Sequence, residues 1–162
     1  MFYSHIRSVV LVGLGLIATN PPLLCQNPNG GPPQDATGGD AIVLATACSF
    51  PISISVTEGK VKEIVLGDRS IIIAPGQQAT IKNLSDTTKH VTLNITGSFH
   101  ITEMPDGSFV YEVTGRNLLW GGTLPTLTLA LGSFTFTLDS DFKETKPLEG
   151  HGQRLNVCAV IS

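Results

Sequence analysis

From residue 50 onward, apolar and polar side chains alternate in short runs. Phe50, Ile52, Ile54 and Val56 take even positions, with Pro51, Ser53, Ser55 and Thr57 between them. A period of two is what a strand with one buried face requires. Residues 62–66, 71–73 and 79–81 predict three more strands, separated by Gly67-Asp68 and Pro75-Gly76 and stopped by the polar stretch 85–88. Val91, Leu93, Ile95, Phe99 and Ile101 share one parity, which predicts a single strand over 91–101. Pro105-Asp106-Gly107 marks a turn, because proline presets φ and glycine accepts a positive one. Phe109, Tyr111 and Val113 then alternate again, so 91–114 reads as a hairpin. Leu127, Leu129 and Leu131 are odd-numbered, whereas Phe134, Phe136 and Leu138 are even-numbered. That slip at Gly132 predicts a bulge or bend. Residues 155–161 supply the last strand. About eight short strands without a helical pattern predict an all-β domain, a single antiparallel β-sandwich or a closed β-barrel.

The first 40 residues follow other rules. His5 and Arg7 precede an apolar run over residues 9–18, which Asn20-Pro21-Pro22 ends. This is the pattern of a secretory leader, and it is too short to span a bilayer. The alternative, a buried core helix, sits badly with two glycines inside the run and a double proline at its end. Cleavage is expected after Cys25, with Thr19 as the alternative site. A bacterial lipid-attachment motif fits poorly, since Leu24 is not small. Residues 26–40 are rich in Pro, Gly and Asn, lack an apolar period and are expected to be disordered. The predicted organisation is a leader (1–25), a linker (26–40) and one β domain (41–162), exported from the cell.

Composition supports this reading. Hydrophobic residues make up 41% and charged residues 14% of the chain, against a usual charged share of about 25%. The net charge is −3. Removing residues 1–25 takes Arg7 away and leaves nine basic against 13 acidic residues. A mildly acidic chain lacks the basic patch that nucleic acid requires. It also lacks the Lys/Arg cluster that would hold it on an anionic membrane after leader removal.

Of the three cysteines, Cys48 opens the domain and Cys158 lies near its end. In an exported protein this placement predicts a disulfide; two buried free thiols are the alternative. Cleavage after Cys25 would leave an even count. Asn83-Leu84-Ser85 and Asn94-Ile95-Thr96 are N-glycosylation sequons. Asn94 falls on the polar parity of its strand, and Asn83 precedes a turn, so both are candidate acceptors.

Catalytic chemistry is thinly represented. His90, His100 and His151 have no zinc-ligand spacing, and no metal or other cofactor is expected. His100 and Glu103 offer an acid–base pair. Glu103, Asp106 and Glu112 offer the carboxylates of a glycoside hydrolase. Asp139-Ser140-Asp141 starts like a calcium loop but lacks its glycine and closing glutamate. Arg116 and Trp120, the only tryptophan, would form a binding patch if the indole were exposed; otherwise the indole fills the core.

Several stretches resemble a family of small exported proteins of unknown function, common in actinobacteria. They are Cys48-Ser49-Phe50-Pro51, Ile95-Thr96-Gly97-Ser98-Phe99-His100, Pro105-Asp106-Gly107-Ser108, Thr114-Gly115-Arg116-Asn117-Leu118-Leu119, Pro147-Leu148-Glu149-Gly150 and Val157-Cys158-Ala159. The resemblance covers residues 48–160. It implies export, single-domain size and the cysteine pairing, and it carries over no functional residue. The expected function is a non-enzymatic extracellular protein that binds an unknown partner or stabilises a surface. A small secreted hydrolase using Glu103, Glu112 or His100, and a barrel carrying an apolar ligand, are the alternatives.

Overall fold

The computed structural model describes residues 32–37 and 39–162. The expected leader, both expected cleavage sites and residues 26–31 lie outside the described residues. The described chain is all-β: β1 (Gln34–Asp35), β2 (Ile42–Leu44), β3 (Ile52–Glu58), β4 (Lys60–Leu66), β5 (Arg69–Ile73), β6 (Gln78–Asn83), β7 (His90–Asn94), β8 (Gly97–Glu103), β9 (Phe109–Leu119), β10 (Thr128–Leu138) and β11 (Glu144–Asn156), followed by one 3-10 turn, Cys158–Val160. The strands form two antiparallel sheets, a seven-stranded one in the order β1-β4-β5-β8-β9-β10-β11 and a four-stranded one in the order β2-β3-β6-β7. In the larger sheet β1 and β11 are both edges, so the described strands do not close into a barrel.

The strand expected over 91–101 is two strands in different sheets. The alternation persists, but Asn94 Oδ1 accepts the Thr96 amide at 2.9 Å and the chain crosses over before Gly97. Besides the step from β1 to β2, the chain changes sheets at two other places, at Gly59 between β3 and β4 and at residues 74–77 between β5 and β6. These crossings meet. The Ile95 amide donates to the Gln77 carbonyl at 2.8 Å, and the Lys60 amide donates to the Pro75 carbonyl at 3.1 Å. Gly59 has φ +110°, and a Cβ there would strike the Gln77 backbone. Glycine is required both for that φ and for the close approach.

Two apolar clusters hold the sheets. Ile52 and Ile54 of β3 and Ala79 and Ile81 of β6 are fully buried, with Leu118 and Leu129 from the larger sheet, Trp120 and Leu127 from the connection between β9 and β10, and Val157, Cys158 and Ile161 from the C-terminal segment. Each buried Ile or Leu contributes roughly 1.5–3 kcal/mol relative to exposure. The second cluster joins Val61, Ile72, Phe99, Val113, Phe134, Phe136, Leu138 and Leu148 on the other parity of the larger sheet.

The two clusters explain the apparent slip at Gly132. Pairing of β10 with β9 runs unbroken from Thr128↔Leu119 to Leu138↔Phe109, so no bulge separates the leucines from the phenylalanines. What changes is the covered face: Leu127 and Leu129 pack into the first cluster, Phe134 and Phe136 into the second. Gly132 belongs instead to a row of paired glycines, Gly97↔Gly115↔Gly132↔Gly152, across four strands. A Cβ on Gly132 would strike the His151 carbonyl, and one on Gly152 the Leu131 carbonyl.

Within the segment 26–40, expected to be disordered, Gln34 and Asp35 pair with Val61 and Lys60. The Ala36 amide donates to the Gly59 carbonyl at 3.0 Å, and Ala36 packs against the second cluster. The outer side of β4 accounts for this pairing: at Lys60 and Val61 it offers backbone groups that even a short polar segment can satisfy.

Candidate functional site

The polar residues singled out in the sequence lie on both faces of the larger sheet. Register places Ile71, His100, Glu112, Thr135 and Glu149 in one row across β5, β8, β9, β10 and β11. The next row is Ile73, Ser98, Thr114, Ser133 and His151. The Ser98 and Thr114 hydroxyls hydrogen-bond at 2.7 Å. Directly paired residues share a face, so His100, Glu112, Ser98, Thr114, Ser133 and Thr135 form one polar surface. Arg116, exposed on the same parity of β9, extends it. Leu118, next on that parity, is already under the four-stranded sheet.

Glu103 has the opposite parity, shared with Phe99 and Ile101. The sheet therefore separates its carboxylate from His100 and Glu112, and neither expected acid–base set involving Glu103 is assembled. Asp106 is occupied in the β8–β9 turn, where its Oδ1 accepts the Ser108 hydroxyl at 2.6 Å and the Ser108 amide at 3.0 Å. These two bonds, the hydroxyl's first, hold its pKa below the ordinary value. Asp86 is bound in the same way, the Thr88 hydroxyl and then its amide lowering its pKa. At Asp35 the Thr37 amide leads and the hydroxyl follows. Asp139 closes the calcium-like stretch as a turn, accepting the Asp141 and Lys143 amides at 2.9 Å each. Among the described residues, no three His, Cys, Asp or Glu side chains are grouped to hold a metal ion.

Arg116 and Trp120 do not make an exposed patch. Trp120 is 7% exposed and lies in the first core cluster, because it shares the parity of Leu118 beneath the four-stranded sheet. Its Nε1 is buried and has no hydrogen-bond partner among the described residues. The face opposite His100, which a barrel would use as its lumen, is occupied by Val113, Phe134, Phe136 and their neighbours. One cation that sequence reasoning passed over has a clear role. Arg154 stacks over the Phe134 ring at 5.0 Å and donates to the Leu148 carbonyl at 2.7 Å, sealing that cluster beside the bare Gly150 and Gly152.

Cys48 and Cys158 form a disulfide with Cα atoms 5.6 Å apart. It ties the segment after β2 to the C-terminal turn. The two sequon asparagines differ. Asn83, at the end of β6, is only 5% exposed; its Nδ2 donates to the Ile161 carbonyl at 3.1 Å, while its Oδ1 accepts the Ser85 amide at 2.8 Å and the Asp86 amide at 3.2 Å. Asn94, at the end of β7, is exposed, and its Oδ1 accepts the Thr96 amide. A signal for Asn83 was present: it shares parity with Ala79 and Ile81, both buried. Among the described residues, no helix is long and apolar enough to cross a membrane. Comparison with protein-family models, curated proteins and solved structures finds no match to this chain.

Proposed function

We propose that this chain is an exported, non-enzymatic β-sandwich domain that presents the polar face of its larger sheet to an extracellular partner. The observation that carries this reading is the cross-strand register. It spreads Ser98, His100, Glu112, Thr114 and Thr135 over one polar surface, in which Ser98 and Thr114 hydrogen-bond, and leaves Glu103 on the opposite face. Such a surface suits contact with a polar partner; of the expected acid–base groups it brings together only His100 and Glu112, which are cross-strand neighbours. The Cys48–Cys158 bond supports an oxidising destination, in line with the resemblance to small exported proteins. The acidic charge argues against nucleic acid as the partner.

The test has two arms. The full chain, expressed with its own leader, is sought in the culture medium, and its mass is compared before and after reduction. Labelled secreted protein is then applied to intact cells of the producing organism. Ser133→Lys and Thr135→Lys are expected to reduce cell-surface binding at least tenfold without altering thermal unfolding. Binding unaffected by both substitutions, or hydrolysis of a glycoside abolished by Glu112→Gln, refutes the assignment.

A further inference from the structure

The two sequons share one motif and have unequal chemistry in the fold. Each asparagine makes the same local turn, its Oδ1 accepting the amide two residues on, at 2.8 Å for Asn83 and 2.9 Å for Asn94. The difference is at Nδ2, the atom a glycan must take. In Asn83 it is buried and donates to the carbonyl of Ile161, a residue with no exposed surface in the first core cluster. In Asn94 it makes no hydrogen bond among the described residues, and the side chain stands in solvent. Thr96, the hydroxyl residue of that sequon, is exposed as well.

We propose that Asn94 is the N-glycan acceptor of this protein and that Asn83 is a structural residue which stays bare. The assignment rests on the export reading above. The co-donor is a polyprenyl-diphosphate-linked oligosaccharide. The Asn94 Nδ2 attacks the anomeric carbon, a C–N bond forms, the C–O bond to the diphosphate breaks, the polyprenyl diphosphate leaves, and one amide proton passes to a base of the transferase. The modified amide keeps one N–H. At Asn94 the sugar replaces a hydrogen that faces water. At Asn83 it would replace one inside the packed contact between β6 and the C-terminal segment. A chain modified there could close its core only by displacing Ile161. The position of Asn94 has a further consequence. β7 is an edge of the four-stranded sheet, and a glycan at its end shields unpaired backbone groups from a second chain.

The full chain with its own leader is expressed in a eukaryotic secretory host. Secreted protein is treated with an amidase that removes N-glycans in heavy-oxygen water, and the tagged peptides are mapped. The tag is expected on residue 94 and not on residue 83. Thr96→Ala, which leaves Asn94 in place, abolishes the glycan mass, and Ser85→Ala leaves it unchanged. A tag on residue 83, or glycan mass that survives Thr96→Ala, overturns the proposal. So does a chain that is exported and oxidised yet bare at Asn94. A chain retained in the cytosol with reduced Cys48 and Cys158 overturns the export reading and this assignment with it, and its free thiols distinguish the two failures.

Discussion

Replacing both Cys48 and Cys158 with alanine removes the one covalent tie between the segment after β2 and the end of the chain. The bond spans a sequence separation of 110. On the chain-entropy account, a loop of that length lowers the entropy of the unfolded chain by about 16 cal/mol/K, or about 5 kcal/mol at 25 °C. The lost sulfur packing adds a smaller cost, about 1 kcal/mol, because Cys158 is buried beside Val157 and Ile161. A domain of this size has a total stability of about 5–15 kcal/mol, so the variant is expected to lose from about two-fifths to all of it. With a urea dependence of about 2 kcal/mol/M, the midpoint should fall by about 2–3 M. The assay is urea unfolding followed by far-ultraviolet dichroism, comparing the double variant with oxidised and reduced wild-type protein. Reduced wild type should move with the variant. A midpoint shift below about 0.5 M at unchanged slope would refute the reasoning, since the unfolded chain would then gain no freedom when the loop opens.

Trp120 offers a contest of two effects. Phe in its place removes a buried N–H that has no partner among the described residues, a defect worth about 1–3 kcal/mol, while sacrificing ring area; Trp120→Phe should therefore stay within about 1 kcal/mol of wild type, whereas Trp120→Ala should cost about 3–5 kcal/mol, both read by urea unfolding. Gly132→Ala puts a Cβ against the His151 carbonyl at φ +143° and should cost at least about 1–3 kcal/mol from backbone strain alone, seen as a Tm lowered by several degrees; Gly67→Ala, with open space around it at φ +66°, should lose less. Stability should also fall at both pH extremes. Asp35, Asp86 and Asp106 have lowered folded pKa values, so their contribution is complete above the ordinary value of 3.8 and is lost as pH falls through the folded values; Asp106→Asn should flatten that acid limb. Burial pushes Tyr111 from 10.0 to about 12, so stability is complete below pH 10 and falls as pH rises toward 12, a loss that Tyr111→Phe should remove in alkaline unfolding experiments.

Strand positions up to β10 were legible because alternation is a local property; the last strand was not, since β11 runs over the polar, glycine-broken stretch Glu144–Asn156 and Cys158–Val160, expected within a strand over 155–161, form a 3-10 turn. The faces that Ile52, Ile54, Phe109 and Val113 bury were readable from neighbours two residues away, and the β8–β9 turn was readable from proline and glycine chemistry. Sheet membership was not. Residues 91–101 keep one parity through a crossing between sheets, so nothing in the alternation marks where β7 ends and β8 begins. The leucine-to-phenylalanine change around Gly132 is the same lesson in another form. A change of parity reports which face is covered, and the covering element lies far away in sequence. A bulge and a change of covering sheet therefore write the same pattern. Only the register, unbroken from Thr128↔Leu119 to Leu138↔Phe109, distinguishes the two.

The candidate site was less legible for a related reason. Site chemistry depends on which atoms of a side chain remain free, and composition and spacing carry no record of that. Trp120 beside Arg116 could be read as a patch or as core, and the choice was made by Leu118, whose face the four-stranded sheet covers. Glu103 and Glu112 stand nine positions apart, an odd interval that would put them on opposite faces of one strand. A hairpin between them reopens the question, and only the pairing Glu103↔Phe109 closes it. The sequons show the limit most directly. The two motifs present the same acceptor group, and they diverge because one Nδ2 reaches Ile161, 78 positions away. A tripeptide can specify that an acceptor exists. Whether that acceptor is free to react is decided by where the end of the chain packs.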